Sequence, residues 1–186
     1  MIKKHLFITL ILISTVASAQ AQDRFFTKTG KINFYSKAPM EDIEAKNKTV
    51  TAVIDSKSGA LQFAVQMKGF EFEKQLMQQH FNENYVESDK FPKAEFKGTI
   101  TNNSEINYKK DGSYPARVKG KLTIHGVTRD VETDGLIKVS GGKLDATSSF
   151  NVLLSDYNVK IPAIVKDKVS NTIRITIDCE LQPLKV

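Results

Sequence analysis

Residues 172–181, TIRITIDCEL, set Ile173, Ile175, Ile177, Cys179 and Leu181 against Thr172, Arg174, Thr176, Asp178 and Glu180. Successive side chains of an extended chain point to opposite faces, so this alternation marks a strand with one buried and one wet face. Cys179 falls on the apolar side, where it reads as a small hydrophobe; nothing near it in sequence would turn it into a reactive thiolate.

The same period of two recurs along the chain. ALQFAVQMKGF (60–70) alternates Leu61, Phe63, Val65 and Met67 with Gln62, Ala64, Gln66 and Lys68. It returns in KAEFKGTI (93–100) with Ala94, Phe96 and Ile100, at Leu122 and Ile124, and in KLDATSSFNVLL (143–154) with Leu144, Ala146, Phe150, Val152 and Leu154. Val127 to Glu132 resumes it, and weaker strands precede at 31–36 and 49–55. Ser58-Gly59, Asp111-Gly112, Asp134-Gly135 and Gly141-Gly142 read as turns between them. The expectation is an all-β, antiparallel chain of about eight strands.

One segment departs from this period. In FEKQLMQQHFNENY (72–85), Leu76, Met77, His80, Phe81 and Tyr85 recur at helical spacing, with Gln75, Gln78, Gln79, Asn82 and Glu83 opposite. This predicts one amphipathic helix over about 73–85, whose apolar stripe must bury itself on a sheet edge or at the end of a barrel. Closure of the sheet into a barrel removes its edges, and eight strands enclose a space that side chains fill or that holds one slender ligand. Small inward residues (Ala94, Gly98, Ala146) favour room inside. A two-sheet sandwich with a solid core is the competing architecture.

The 186 residues, 40% of them hydrophobic, suit one core of ordinary size. Residues 1–22, MIKKHLFITLILISTVASAQAQ, carry Lys3 and Lys4, an apolar run from Leu6 to Val16, and small residues at Ala17, Ser18 and Ala19. That is the pattern of a cleavable secretory signal over 1–21, cut after Ala19 or Ala21, and the run is far short of the about 20 residues a spanning helix needs. One domain, 22–186, follows. Loss of the two signal lysines takes the formal charge from +6 to about +4. The lysines are scattered, without the basic stripe of a nucleic-acid binder, so no nucleic-acid partner is expected, whereas a transient membrane contact is compatible with the surplus. A single cysteine excludes an intramolecular disulfide framework.

Catalytic equipment is sparse. There is no metal-ligand spacing around His80 or His125, no nucleophile elbow, no phosphate-binding glycine loop and no dinucleotide fingerprint, so neither a metal nor a cofactor is expected. His125 precedes Gly126 between two alternating stretches, which makes it the corner of a hairpin with its side chain facing outward. His80 shares the helical stripe, either as a packed histidine with one ring nitrogen hydrogen-bonded or as a polar contact at the mouth of a cavity.

Two motifs carry a resemblance to a known family. VKGKLTIHGVTRDVE (118–132) resembles the segment of the YceI-like proteins in which Val-x-Gly-x-Leu-Thr-x-x-Gly-Val-Thr enters the next strand. Upstream, HFNENYVESDKFPKAEFKGTI (80–100) is similar to that family's helix-to-strand passage, and the likeness extends over about 25–182. GKINFYSKAPM (30–40) lacks the histidine often found after its phenylalanine, and the loop after His80 is about one residue short; both departures bear on how a headgroup is held. The resemblance implies an exported, extended lipocalin-like antiparallel barrel, periplasmic or else secreted, holding a polyisoprenoid such as a quinone or polyprenol tail.

Strand parity then nominates Phe63, Val65, Met67, Phe96, Leu122, Ile124, Val152, Leu154, Ile175 and Ile177 as tunnel lining, with Leu76, His80, Phe81 and Tyr85 closing or gating one end. The expected function is an exported lipid-binding carrier, not an enzyme, with an isoprenoid lipid as partner and a homodimer compatible with the reading. The alternatives are an envelope structural or protein-interaction module with a filled core and, behind it, an enzyme using His80.

Overall fold

The computed structural model describes residues 23–184. The expected signal segment, 1–21, lies outside the described residues. The strands are β1 (Arg24–Lys37), β2 (Asp42–Asp55), β3 (Ala60–Gln66), β4 (Glu71–Phe72), β5 (Lys93–Ile100), β6 (Gly112–Ile124), β7 (Val127–Ser140), β8 (Lys143–Leu153) and β9 (Thr172–Pro183). One α-helix is present among the described residues, α1 (Gln75–His80), between β4 and β5.

All pairings are antiparallel, and the ring β1-β2-β3-β5-β6-β7-β8-β9 closes because β9 pairs back onto β1. The result is a closed eight-stranded barrel with β4 added beside β2 at Ala45–Phe72. Every ring strand pairs with a neighbour on each side, which rules out the sandwich. Inside β9 the register is the one the alternation fixes: Ile173, Cys179 and Leu181 are buried while Arg174, Thr176 and Asp178 are not.

Several expectations need correction. β1 and β2 are far longer than the short strands at 31–36 and 49–55, because register shifts between Thr27 and Gly30 and between Gly30 and Ile32 break the period of two. At that irregularity a side chain on Gly30 would meet Cys179 Sγ at 2.5 Å. Asp134-Gly135 is no turn: Gly135 lies within β7, paired with Ala116 on one side and Ser148 on the other. Glycine serves close approach there, since a Cβ would sit 2.8 Å from the Thr147 carbonyl oxygen.

The helix over 73–85 begins later and is divided. Its α-helical part covers only Gln75–His80, and Phe81–Tyr85 continues as a π-helical turn. Lys74 occupies the N-cap without a side-chain cap, so the element depends on packing more than on local propensity. Leu154 starts a 3-10 turn, Leu154–Tyr157, beyond the end of β8. Met67 opens another, Met67–Gly69, and remains buried.

The two ends of the barrel differ. At one end lie the β2–β3 turn, the β5–β6 connection and the β7–β8 turn, and Phe25 stacks on Tyr108 with ring centroids 6.3 Å apart. Leu144, Cys179 and Leu181, each 0% exposed, complete this closed end. The other end collects the β1–β2 turn, α1, the β6–β7 turn and the long β8–β9 connection.

Candidate functional site

Between these ends the barrel encloses a cavity of about 510 Å³, within the usual range for small-molecule sites. Most of its wall follows strand parity, with Glu95, Leu136 and Thr147 added between inward neighbours. Phe63 and Val65 come from β3, Phe96 from β5, Leu122 and Ile124 from β6, Val152 from β8, and Ile175 and Ile177 from β9. Met67 and Leu154, just past their strands, also face it. Leu76, His80, Phe81 and Tyr85 join the lining from α1 and the π-helical turn. The structure thus brings all the nominated residues to one space. Ile54, Ile100 and Ile137 lie toward the closed end, and Glu41, Lys74, Val165 and Lys168 belong to the open one.

Room in this space has identifiable causes. Gly98 and Gly120 face each other across β5 and β6. A Cβ on Gly120 would lie 2.5 Å from Phe96 Cζ and 2.6 Å from Gly98 Cα, so the Phe96 ring lies flat over a glycine pair instead of projecting across the cavity. Ala94, Ala116 and Ala146 leave further space. β7 and β8 pair only between Gly135–Ser140 and Lys143–Ser148. Nearer the mouth β7 follows β6 and β8 follows β9, and the divergence is bridged by Thr133 Oγ1 to Ser148 Oγ at 3.2 Å and Arg129 Nε donating to the Asp156 carbonyl at 2.9 Å.

Sequence parity missed an aromatic cluster. Phe34 contacts Phe70, Phe72 and Phe81 at centroid distances of 5.3, 5.6 and 5.5 Å, and Phe81 lies 5.1 Å from Phe72 and 5.6 Å from Phe70. The cluster seats the π-helical turn on β1 and forms part of the cavity wall. Alternation in the GFEF stretch (69–72) was the available signal; its coincidence with a strand of two residues concealed it.

The histidines fall at the expected places, His80 at the cavity mouth and His125 at the hairpin corner, but the His125 side chain is covered where an outward one was expected. His80, at the end of α1, is exposed at the edge of the cavity and makes no side-chain hydrogen bond among the described residues, so it is not a packed histidine. His125 is the hairpin corner, with φ +50° followed by Gly126 at φ +74°, the left-handed pair of a two-residue turn. Its ring is covered, however, with the side chain 12% exposed and the Phe91 ring in an edge-to-face contact at a centroid distance of 4.6 Å. Nε2 donates to Glu87 Oε2 at 2.7 Å and Nδ1 donates to the Tyr157 carbonyl at 3.2 Å, since a carbonyl and a carboxylate only accept. The Glu87 carboxyl is held below its ordinary value, first by this hydrogen bond from His125. Glu87, His125 and Asn158 are the described non-glycine residues with positive φ, so three left-handed turns of the open end meet at one staple.

The His125–Glu87 pair, the one histidine–carboxylate pair among the described residues, thus ties loops of the open end together. Among the described residues no group of three or more His, Cys, Asp or Glu could hold a metal, and no helix is long and apolar enough to cross a membrane.

Comparison with known proteins gives consistent findings. The family model for the YceI-like domain matches residues 13–181. No curated protein matches in sequence. Among solved structures, a polyisoprenoid binding domain from Saccharophagus degradans implicated in plant cell wall breakdown superposes with a TM-score of 0.77 at 12% identity, covering 87% of this chain and 99% of its own. BcnA of Burkholderia cenocepacia gives 0.66 at 19% identity, with 82% and 94% covered. A Campylobacter jejuni YCEI protein gives 0.55 at 21%, with 73% and 82% covered. At these identities the likeness establishes a shared fold.

Proposed function

The chain belongs to the YceI-like domain family, and from that premise we propose that it binds the apolar tail of a polyisoprenoid, a quinone or polyprenol, in the barrel tunnel and carries it. The observation that supports this best is the cavity of about 510 Å³, walled by aliphatic and aromatic side chains from all round the ring. A tail entering it leaves water at about 25 cal/mol per Å² of apolar surface, so each five-carbon unit adds on the order of 1 kcal/mol or more until the cavity is full. Glu41, Lys74, His80 and Lys168 line the open end, where a polar headgroup would remain.

On this reading the protein is a binding protein, not an enzyme, and needs no cofactor. Its place is the periplasm, reached by removal of the signal-like segment 1–21, and it exchanges cargo through transient membrane contact, as a monomer or a homodimer. The alternative of a structural module asks for a filled core, which the observed interior does not have. The test is mass spectrometry of lipid extracted from protein purified from its native host. An isoprenoid in near-stoichiometric amount is the expected result; empty protein whose melting temperature is unmoved by added polyprenol would contradict it.

A further inference from the structure

Around the open end, large apolar side chains are exposed to water: Met40 and Ile164 lie outside the tunnel wall, and Leu76 lines its edge. Met40, in the β1–β2 turn, is 70% exposed, Leu76 of α1 is 61% exposed, and Ile164, in the 3-10 turn Ala163–Val165, is 91% exposed. The other exposed large hydrophobics among the described residues, Leu136 and Leu153, reach only 40%. Scattered surface hydrophobes are ordinary, but these lie on neighbouring segments of one rim. Met40 N donates to the Asp167 carbonyl at 2.9 Å, and Lys74, next to α1, donates to Glu41 Oε1 at 3.0 Å. The closed end carries no comparable side chain among the described residues.

Charge surrounds the most exposed of them. In KIPAIVKDK (160–168), Lys160, Lys166 and Lys168 are all exposed, Asp167 is the only acid, and none of the three lysines belongs to an ion pair among the described residues. An apolar tip flanked by unpaired lysines complements a bilayer twice over, with hydrocarbon for the isoleucine and acidic headgroups for the ammonium groups. Val165 and Lys168 of this segment also line the cavity, so the rim and the tunnel are continuous.

We propose that the rim formed by Met40, Leu76 and Ile164 docks the open end of the barrel onto an anionic lipid bilayer, so that a tail passes between membrane and tunnel without crossing water. The direction of transfer rests on the tail-binding reading above; the docking itself does not.

The chain has no tryptophan, so Ile164→Trp supplies a lone emitter at the tip. Its emission shifts to the blue with vesicles of mixed phosphatidylglycerol and phosphatidylcholine, and less with phosphatidylcholine alone. Ile164→Glu lowers vesicle binding by about tenfold or more in flotation, while uptake of detergent-dispersed polyprenol stays at the wild-type level, because Ile164 is outside the tunnel wall. Unshifted emission, or flotation of Ile164→Glu equal to wild type, overturns docking. So does a concentration-dependent dimer that Ile164→Glu abolishes in protein showing no vesicle binding, which assigns the rim to a second copy. Vesicle binding without polyprenol uptake supports docking and removes the cargo reading alone.

Discussion

At position 125 a histidine does what no residue type in its own neighbourhood could reveal. The turn was legible, because His125-Gly126 separates two alternating runs; its partners were not, because Glu87 and Tyr157 arrive from connections far away in sequence. His125→Ala forfeits two hydrogen bonds and the Phe91 contact and places a Cβ-bearing residue without polar function at φ +50°, so it destabilises by roughly 2 kcal/mol, read as a lower melting temperature; His125→Asn, tolerant of left-handed backbone, recovers part of the loss. Cys179, by contrast, was read correctly from parity alone, as a buried small hydrophobe. Burial pushes its thiol up to about 11 and the Tyr108 phenol up to about 12. Because these folded-state values lie above the unfolded ones, the neutral groups contribute stability that is complete below the unfolded values. That contribution is lost as pH rises toward the folded ones. Melting temperature should therefore fall between the ordinary thiol value of 9.0 and about 11, and Cys179→Ala should remove part of that slope, whatever it does to the neutral-pH value.

Among the elements, β9 and β3 were readable because each keeps strict alternation, with buried Ile173 and Leu61 answered by exposed Arg174 and Gln62. β1 was not, because its irregular register around Gly30 shifts the apolar residues out of phase. The helix shows a third case. Its stripe of Leu76, Met77, His80, Phe81 and Tyr85 was visible, but periodicity cannot distinguish an α-helix from one that relaxes into a π turn at Phe81. That segment is held by Phe81 among Phe34, Phe70 and Phe72, with no capping side chain at its start. Phe81→Ala should then cost about 2 kcal/mol, short of the about 3–5 of a fully buried phenylalanine, and should expose 75–85 to limited proteolysis before the barrel unfolds. A protease pattern identical to wild type would show that the cluster does not anchor the element.

For the molecule as a whole, closure followed from counting alternating segments and asking where their edges go, and the motifs of 80–100 and 118–132 narrowed the barrel to one family. What sequence could not supply was the size of the interior, since that depends on how Phe96 lies over Gly98 and Gly120 and on where β7 and β8 part. Nor could it show that Phe25 and Tyr108 stack at one end while charged and polar groups line the cavity at the other. A tunnel of limited volume makes a quantitative demand on its ligand. The direct measurement is the dissociation constant for polyprenols of increasing length, determined by titration of delipidated protein. Affinity should rise several-fold or more with each added five-carbon unit and then level off once the tail reaches the closed end. Affinity independent of tail length, or no saturable binding at any length, would contradict the account.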